Sequence, residues 1–277
     1  MFPKIINVIT IILQTSKKQD YTMCLIIFGL EVHPQYKLVL IANRDEFYAR
    51  PTQAAHFWED NPHLLAGKDL QGGGTWLGIN KKGKFSALTN YRDPLNIRTD
   101  APSRGELNTN YLLGDADPLK YMFRVQFKAS QYNGFNLLTG DKDDLFYYSN
   151  YSKSIQKINQ GIFGLSNNLL DSDWYKVQQG KNKLENYLHA HSKLEIPDLL
   201  AIMEDDSKPE DDKVQQTGLP LEQEKMLSSM FIRSPKYGTC CSTVLLWDKK
   251  DNVTFVEKTF SEGTPHTINE YNFQIEH

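Results

Sequence analysis

The chain has 277 residues, with 40% hydrophobic, 12% aromatic and 23% charged residues, enough apolar material to bury a sizeable core. Its formal net charge of -3 is spread along the sequence without a basic stripe, which argues against nucleic acid as a partner and toward small molecules. The longest apolar run, Ile5 to Leu13, falls well short of the ~18 residues that span a bilayer, so stable membrane insertion is not expected.

Residues 1–22 combine that short apolar run with Lys17-Lys18-Gln19-Asp20 and lack a small-x-small cleavage site. They read as an over-called extension upstream of the working start, Met23-Cys24. Residues 23–277 then form a single domain. Cysteine is small enough for the preceding methionine to be removed, which would free the Cys24 α-amine. The three cysteines are Cys24, Cys240 and Cys241, and the adjacency of two of them disfavours a disulfide. A reduced, cytoplasmic setting is expected.

Cys24 to Leu30 and Lys37 to Ala42 are nearly continuous apolar runs, the pattern of strands covered on both faces. A turn over Glu31 to Tyr36 joins them into a hairpin. Gly72-Gly73-Gly74 lacks the Lys-Ser/Thr of a phosphate loop and leads into a strand, so it reads as a bend or a close approach. Thr75 to Asn80 and Phe85 to Asn90 form a second hairpin, closed by Lys81-Lys82-Gly83-Lys84. Asn136 to Thr139 with Leu145 to Ser149, and Ser242 to Asp248 with Val253 to Lys258, form two more. Helices are predicted from Asp117-Pro118 to about Ser130, from an Asp173 cap through His189, from Pro197 through Met203, and over Leu221 to Ile232. Antiparallel hairpins with helices in separate blocks indicate an α+β layered domain rather than a βαβ nucleotide fold.

The second apolar run exits into Asn43-Arg44-Asp45-Glu46. In an antiparallel hairpin this exit lies beside Cys24, and alternation sends Arg44 and Asp45 to opposite faces. A terminal cysteine carries its own base, and a nearby Arg44 favours the thiolate, so a lowered thiol pKa is expected. Cys240 and Cys241 have no cation nearer in sequence than Lys236. Amide cleavage also needs donors for an oxyanion, for which Asn90 and Asn167 are the candidates. His189 and His191 point to different helix faces, and no metal site is expected.

Met23-Cys24-Leu25-Ile26, Asn43-Arg44-Asp45-Glu46, Gly73-Gly74-Thr75-Trp76-Leu77-Gly78, Leu88-Thr89-Asn90, Ser103-Arg104-Gly105-Glu106 and Tyr237-Gly238-Thr239 occur in that order. Together they resemble the NRDE family, that of the transport and Golgi organisation protein 2, whose members begin with Met-Cys. The resemblance implies a four-layer αββα sandwich of the N-terminal-nucleophile hydrolase type, distantly related to cysteine acylases. It implies Cys24 as nucleophile, assisted by Arg44 and Asp45, with Asn43, Glu46, Trp76, Arg104 and Thr239 as candidate ligand contacts. Many members read Tyr-Gly-Thr-Arg where this chain reads Tyr237-Gly238-Thr239-Cys240, and Arg233 is a candidate to compensate for that charge, though nothing in the sequence requires it.

Two functions follow as expectations. One is an amidohydrolase cleaving a non-peptide C–N bond of a small molecule, with no cofactor. The other is a non-enzymatic carrier or chaperone, with haem as the ligand implied by the family. Neither reading fixes the oligomeric state.

Overall fold

A computed structural model describes residues 23–276; the expectations for residues 1–22 lie outside the described residues. The strands are β1 (Met23–Leu30), β2 (Tyr36–Phe47), β3 (Thr52–Trp58), β4 (Asn61–Asp69), β5 (Leu77–Asn80), β6 (Phe85–Asn90), β7 (Phe135–Gly140), β8 (Leu145–Ser149), β9 (Ile155–Ile158), β10 (Gly161–Leu165), β11 (Tyr237–Asp248), β12 (Asn252–Ser261) and β13 (Thr264–Gln274). The helices are α1 (Gly105–Leu113), α2 (Pro118–Lys128), α3 (Tyr175–Ala190), α4 (Ile196–Met203) and α5 (Leu221–Leu227).

The strands form two antiparallel sheets, a six-stranded one in the order β10-β1-β2-β11-β12-β13 and a seven-stranded one running β3 to β9 in sequence order. Strand alternation divides the apolar side chains between three layers. Ile26, Phe28, Leu40 and Leu245 meet Leu65, Ile79, Ala87 and Leu138 between the sheets. Leu25, Ile27, Val39 and Ile41, on the opposite face of β1 and β2, pack against Val177 and Leu184 of α3 and Leu199 of α4. Leu137 and Tyr148 of the second sheet pack against Tyr111 of α1 and Met122 of α2. The result is the four-layer αββα sandwich expected from the family resemblance.

The hairpins expected from the apolar runs all form, with Gly83 at φ +80° closing the β5–β6 turn. α2 starts as its sequence dictates, with Asp117 accepting from the Lys120 N–H and Pro118 at the first position. Three expectations change. β2 does not exit at Asn43 but continues through Phe47, because β11 pairs with it along that whole stretch. Asp173 does not cap α3; the capping position is Trp174, without a side-chain cap. The predicted helix over Leu221 to Ile232 ends at Leu227, and the Thr239 hydroxyl accepts from the Ile232 N–H to draw the following segment into the β11 edge.

Candidate active site

Cys24 and Arg44 are directly opposed residues of β1 and β2, and Arg44 is opposed on its other side by Cys241 of β11. Directly opposed residues share a face, and this one looks toward the second sheet. Cys24 and Arg44 therefore stand side by side at the end of the inter-sheet layer, where the sheets part into a cleft of about 1100 Å³.

One wall of the cleft is a chain of alternating charges. Arg44 lies 3.5 Å from Glu46, Glu46 lies 3.4 Å from Arg50, and Arg50 lies 2.7 Å from Asp69 of β4. Arg44 and Glu46 are almost fully buried, whereas Arg50 and Asp69 are part-exposed, so the chain runs from interior to rim. Asp69 also accepts from the Gln71 and Gly72 N–H groups, which ties the glycine loop to that rim. At Gly74 an added Cβ would fall 2.4 Å from the Gly105 carbonyl carbon, so the loop and the start of α1 touch backbone to backbone. This is the close approach expected for Gly72 to Gly74. The opposite wall carries Trp76, Leu88, Asn90 and Arg104, and Leu227 and Tyr237 close the cleft near Cys24.

The backbone of Cys24 is held from the far side. Its N–H donates to Asn167 Oδ1 at 3.4 Å, its carbonyl accepts from the Ser166 hydroxyl at 2.8 Å, and Asn167 Nδ2 donates to the Asn90 carbonyl at 2.8 Å. The Met23 N–H donates to the Tyr237 hydroxyl at 2.7 Å. Asn167 thus turns its amide oxygen toward the Cys24 N–H and its amide N–H toward the Asn90 carbonyl. Asn90 keeps its place on the cleft wall.

Other expectations divide by strand face. Glu46, Trp76 and Arg104 line the cleft with Cys24 and Arg44. Asn43 does not: its amide donates to the Met203 and Met230 carbonyls under the helix layer, and its oxygen accepts from Ser242. Thr239 is likewise turned away, donating to Asp45 Oδ1 at 2.7 Å. Neither Asn43 nor Thr239 lines the cleft. Asp45 sits behind the strand from the cleft, fully buried. Arg233 does not replace the arginine missing at Cys240, since it reaches the Gly263 carbonyl and Asp206 instead.

The lowered thiol pKa is expected of Cys24 with a free α-amine, a state without Met23. With Met23 in place, burial pushes the Cys24 thiol up to about 12; the Asp45 charge pushes the same way, and Arg44 opposes without overcoming them. Cys241 is not remote from a cation as its sequence neighbours suggest, because Arg44 faces it across the sheet. Burial raises Asp45 to about 6, against the pull of a lysine absent from the expected set, Lys176 of α3. Lys176 is fully buried, and its pKa is lowered to about 8 by that burial, with Asp45 opposing. A lysine on an amphipathic helix ordinarily reads as surface, so no local signal marked it.

The four-layer αββα sandwich is a fold of the N-terminal-nucleophile hydrolase type. Residues 23–262 match the family model for Transport and Golgi organisation 2, and the chain belongs to that family. It is 36% identical over 263 residues to the Transport and Golgi organization protein 2 homolog of Bos taurus, covering 88% of this chain and 95% of the relative. The Homo sapiens homolog is 36% identical over 261 residues, 87% of this chain and 94% of its own length. The Drosophila melanogaster protein is 30% identical over 268 residues, 88% and 94% of the two chains. Among solved structures, a Caenorhabditis elegans N-acylethanolamine-hydrolyzing acid amidase ortholog aligns with a TM-score of 0.44 at 9% identity, over 80% of this chain and 92% of that one. A mutant conjugated bile acid hydrolase from Clostridium perfringens aligns with a TM-score of 0.39 at 9% identity, over 91% and 85%.

Proposed function

We propose that the protein cleaves a non-peptide amide bond of a small molecule, with Cys24 as nucleophile once Met23 has been removed. The observation that carries the reading is the placement of Cys24. Its side chain opens into the cleft beside Arg44, and its backbone nitrogen faces Asn167 Oδ1. The Cys24 thiol gives its proton to the freed α-amine, and the sulfur attacks the amide carbon. The C–N bond then breaks as the α-ammonium returns the proton to the leaving amine, and water hydrolyses the acyl thioester. Arg44 favours the thiolate, and Asn90 and Asn167 are the candidates for the oxyanion. Trp76 and Leu88 offer apolar surface for the acyl group, and Glu46 and Arg104 contact its polar portion.

A second reading is a carrier that holds a small molecule, haem being the cargo suggested by the family, in the same cleft. The cleft's size and the cysteine at the position of the family arginine, Cys240, favour it. No helix among the described residues is long and apolar enough to cross a membrane. With either activity the proposed compartment is the cytoplasm.

The two readings separate on Cys24→Ser. Protein shown by intact mass to start at Cys24 is offered a panel of N-acyl amides, and haem binding is titrated in parallel. The hydrolase reading expects turnover by the parent and background rates for the variant. Absence of turnover across the panel, together with haem binding that is equal in parent and variant, replaces it with the carrier.

A further inference from the structure

Lys176 is 0% exposed, and its Nζ has no hydrogen-bond partner among the described residues. A cation in that position normally pairs or neutralises, because an isolated charge loses its hydration on burial. Asp45 shows the matching defect. Its Oδ1 takes the Thr239 hydroxyl, but its Oδ2 is buried without a partner. No hydrogen bond joins the two side chains, so each has capacity to spare.

Met23 lies among these groups. It is the directly opposed residue of Asp45 across the β1–β2 pair, its N–H donates to Tyr237, and its thioether lies 2.6 Å from Arg92 Nη2. A methionine here is ringed by an acid, a guanidinium, a phenol and, within electrostatic range of Cys24, a buried ammonium. Removing it would turn the Cys24 nitrogen, which already donates one N–H to Asn167 Oδ1, into an α-amine with further hydrogens for this ring.

We infer that Asp45 and Lys176 form the seat of the Cys24 α-amine, Asp45 Oδ2 accepting its hydrogen bond and Lys176 balancing the Asp45 charge. The inference rests on the proposed nucleophile. Its chemistry concerns the base. Asp45 alone would hold the amine as an ammonium, which cannot take the thiol proton; a second cation beside the same carboxylate disfavours that protonation. Every other charge facing the seat is already engaged. Arg92 of the segment after β6 is paired with Glu224 of α5, and Arg44 with Glu46 on the cleft face of β2. Tyr237 of β11 stays a neutral phenol, its pKa raised by burial. Lys176 is thus a positioning residue that acts through the amine.

The test uses protein beginning at Cys24, released from a leader that is cleaved during synthesis, before the chain folds; apart from Met23 it contains every described element. Competitive acetylation with isotope-coded acetic anhydride from pH 5 to 9, read by mass spectrometry on the N-terminal peptide, titrates the α-amine without any substrate. Lys176→Met should raise the amine pKa by about one unit or more, a tenfold loss of free base at neutral pH. Asp45→Asn should lower it, and the Asp45→Asn/Lys176→Met double variant should return it toward the parent value. An amine that titrates identically in the parent and all three variants, each with a cooperative unfolding transition, overturns the seat. The titration is independent of turnover. The expected shifts in a parent that cleaves no amide would retain the seat and remove the hydrolase, whereas turnover without shifts would do the reverse.

Discussion

At Cys24 two effects oppose each other, and their sizes decide the state of the thiol. Arg44 favours the thiolate, burial favours the thiol, and burial wins. The guanidinium is also committed elsewhere, since Glu46 lies beside it with both side chains almost fully buried. Removing one partner of a buried pair costs roughly 3–5 kcal/mol because the survivor stays desolvated. Arg50 also reaches Glu46, so Arg44→Ala should fall toward about 3 kcal/mol, read as a shift in the urea midpoint. A shift below about 1 kcal/mol would mean that water already reaches the pair. The neighbourhood of Cys24 and Arg44 was legible from the chain alone, because a hairpin brings a strand's end back to its partner's start. The turn of Asp45 to the face opposite Arg44 followed from alternation, which holds equally for Asn43 although Asn43 is read from the sequence as a ligand contact; the partners of the two did not follow. Those are Met203 and Lys176 of helices distant in sequence and Met230 of the segment after α5.

The cleft rim depends on how elements touch. Gly74 and Gly105 bring the loop before β5 and the first turn of α1 into backbone contact, and no side chain can be interposed without displacement. Gly74→Ala should therefore destabilise the fold by about 1–3 kcal/mol through overpacking. It should also widen the rim near Trp76, seen as faster amide hydrogen exchange in residues 72–78 and 103–108. Unchanged exchange there would show that the contact yields without moving α1. The helix itself went unread. Gly105–Leu113 opens after Arg104 with no side-chain cap and has no strong apolar stripe, so tertiary packing of Leu107, Tyr111 and Leu112 holds it rather than local preference. β13 was missed for a related reason. It is an edge strand with mostly exposed side chains, and backbone pairing to β12 defines it. The buried hairpins were readable because their apolar runs have no alternative use.

Across the whole molecule the two sheets are fastened at one edge by a buried acid. Glu257 of β12 accepts from the Ala55 N–H of β3 at 2.6 Å, and burial raises its pKa above the ordinary 4.5. A carboxyl raised on folding contributes stability that is complete below its unfolded pKa and is lost as pH climbs through the folded one. Asp45, raised to about 6, adds to the same trend. Asp69 and Glu224, lowered by hydrogen bonds and by Arg50 and Arg92, contribute in the opposite sense, losing stability as pH falls through their folded pKa values. Substituting one group isolates its share. Glu257→Gln should gain on the parent as pH rises from about 4.5, with unfolding midpoints compared at each pH. A difference that stays flat with pH would mean that Glu257 titrates alike in folded and unfolded chains.

The burial of Met23 sets a deadline. β1 is enclosed by β2 and β10, the Cys24 nitrogen is held by a residue 143 positions on, and the Met23 nitrogen by one 214 positions on. The first closure waits for residue 167 and the second for residue 237, long after the segment around Met23 has left the ribosome. An aminopeptidase needs its substrate extended and free, and in the folded protein Met23 is 1% exposed and hydrogen-bonded into a central strand. Under the proposed start at Met23, excision therefore belongs to the interval before β10 and β11 arrive. A chain that folds with the methionine still attached has passed the point at which it can be removed.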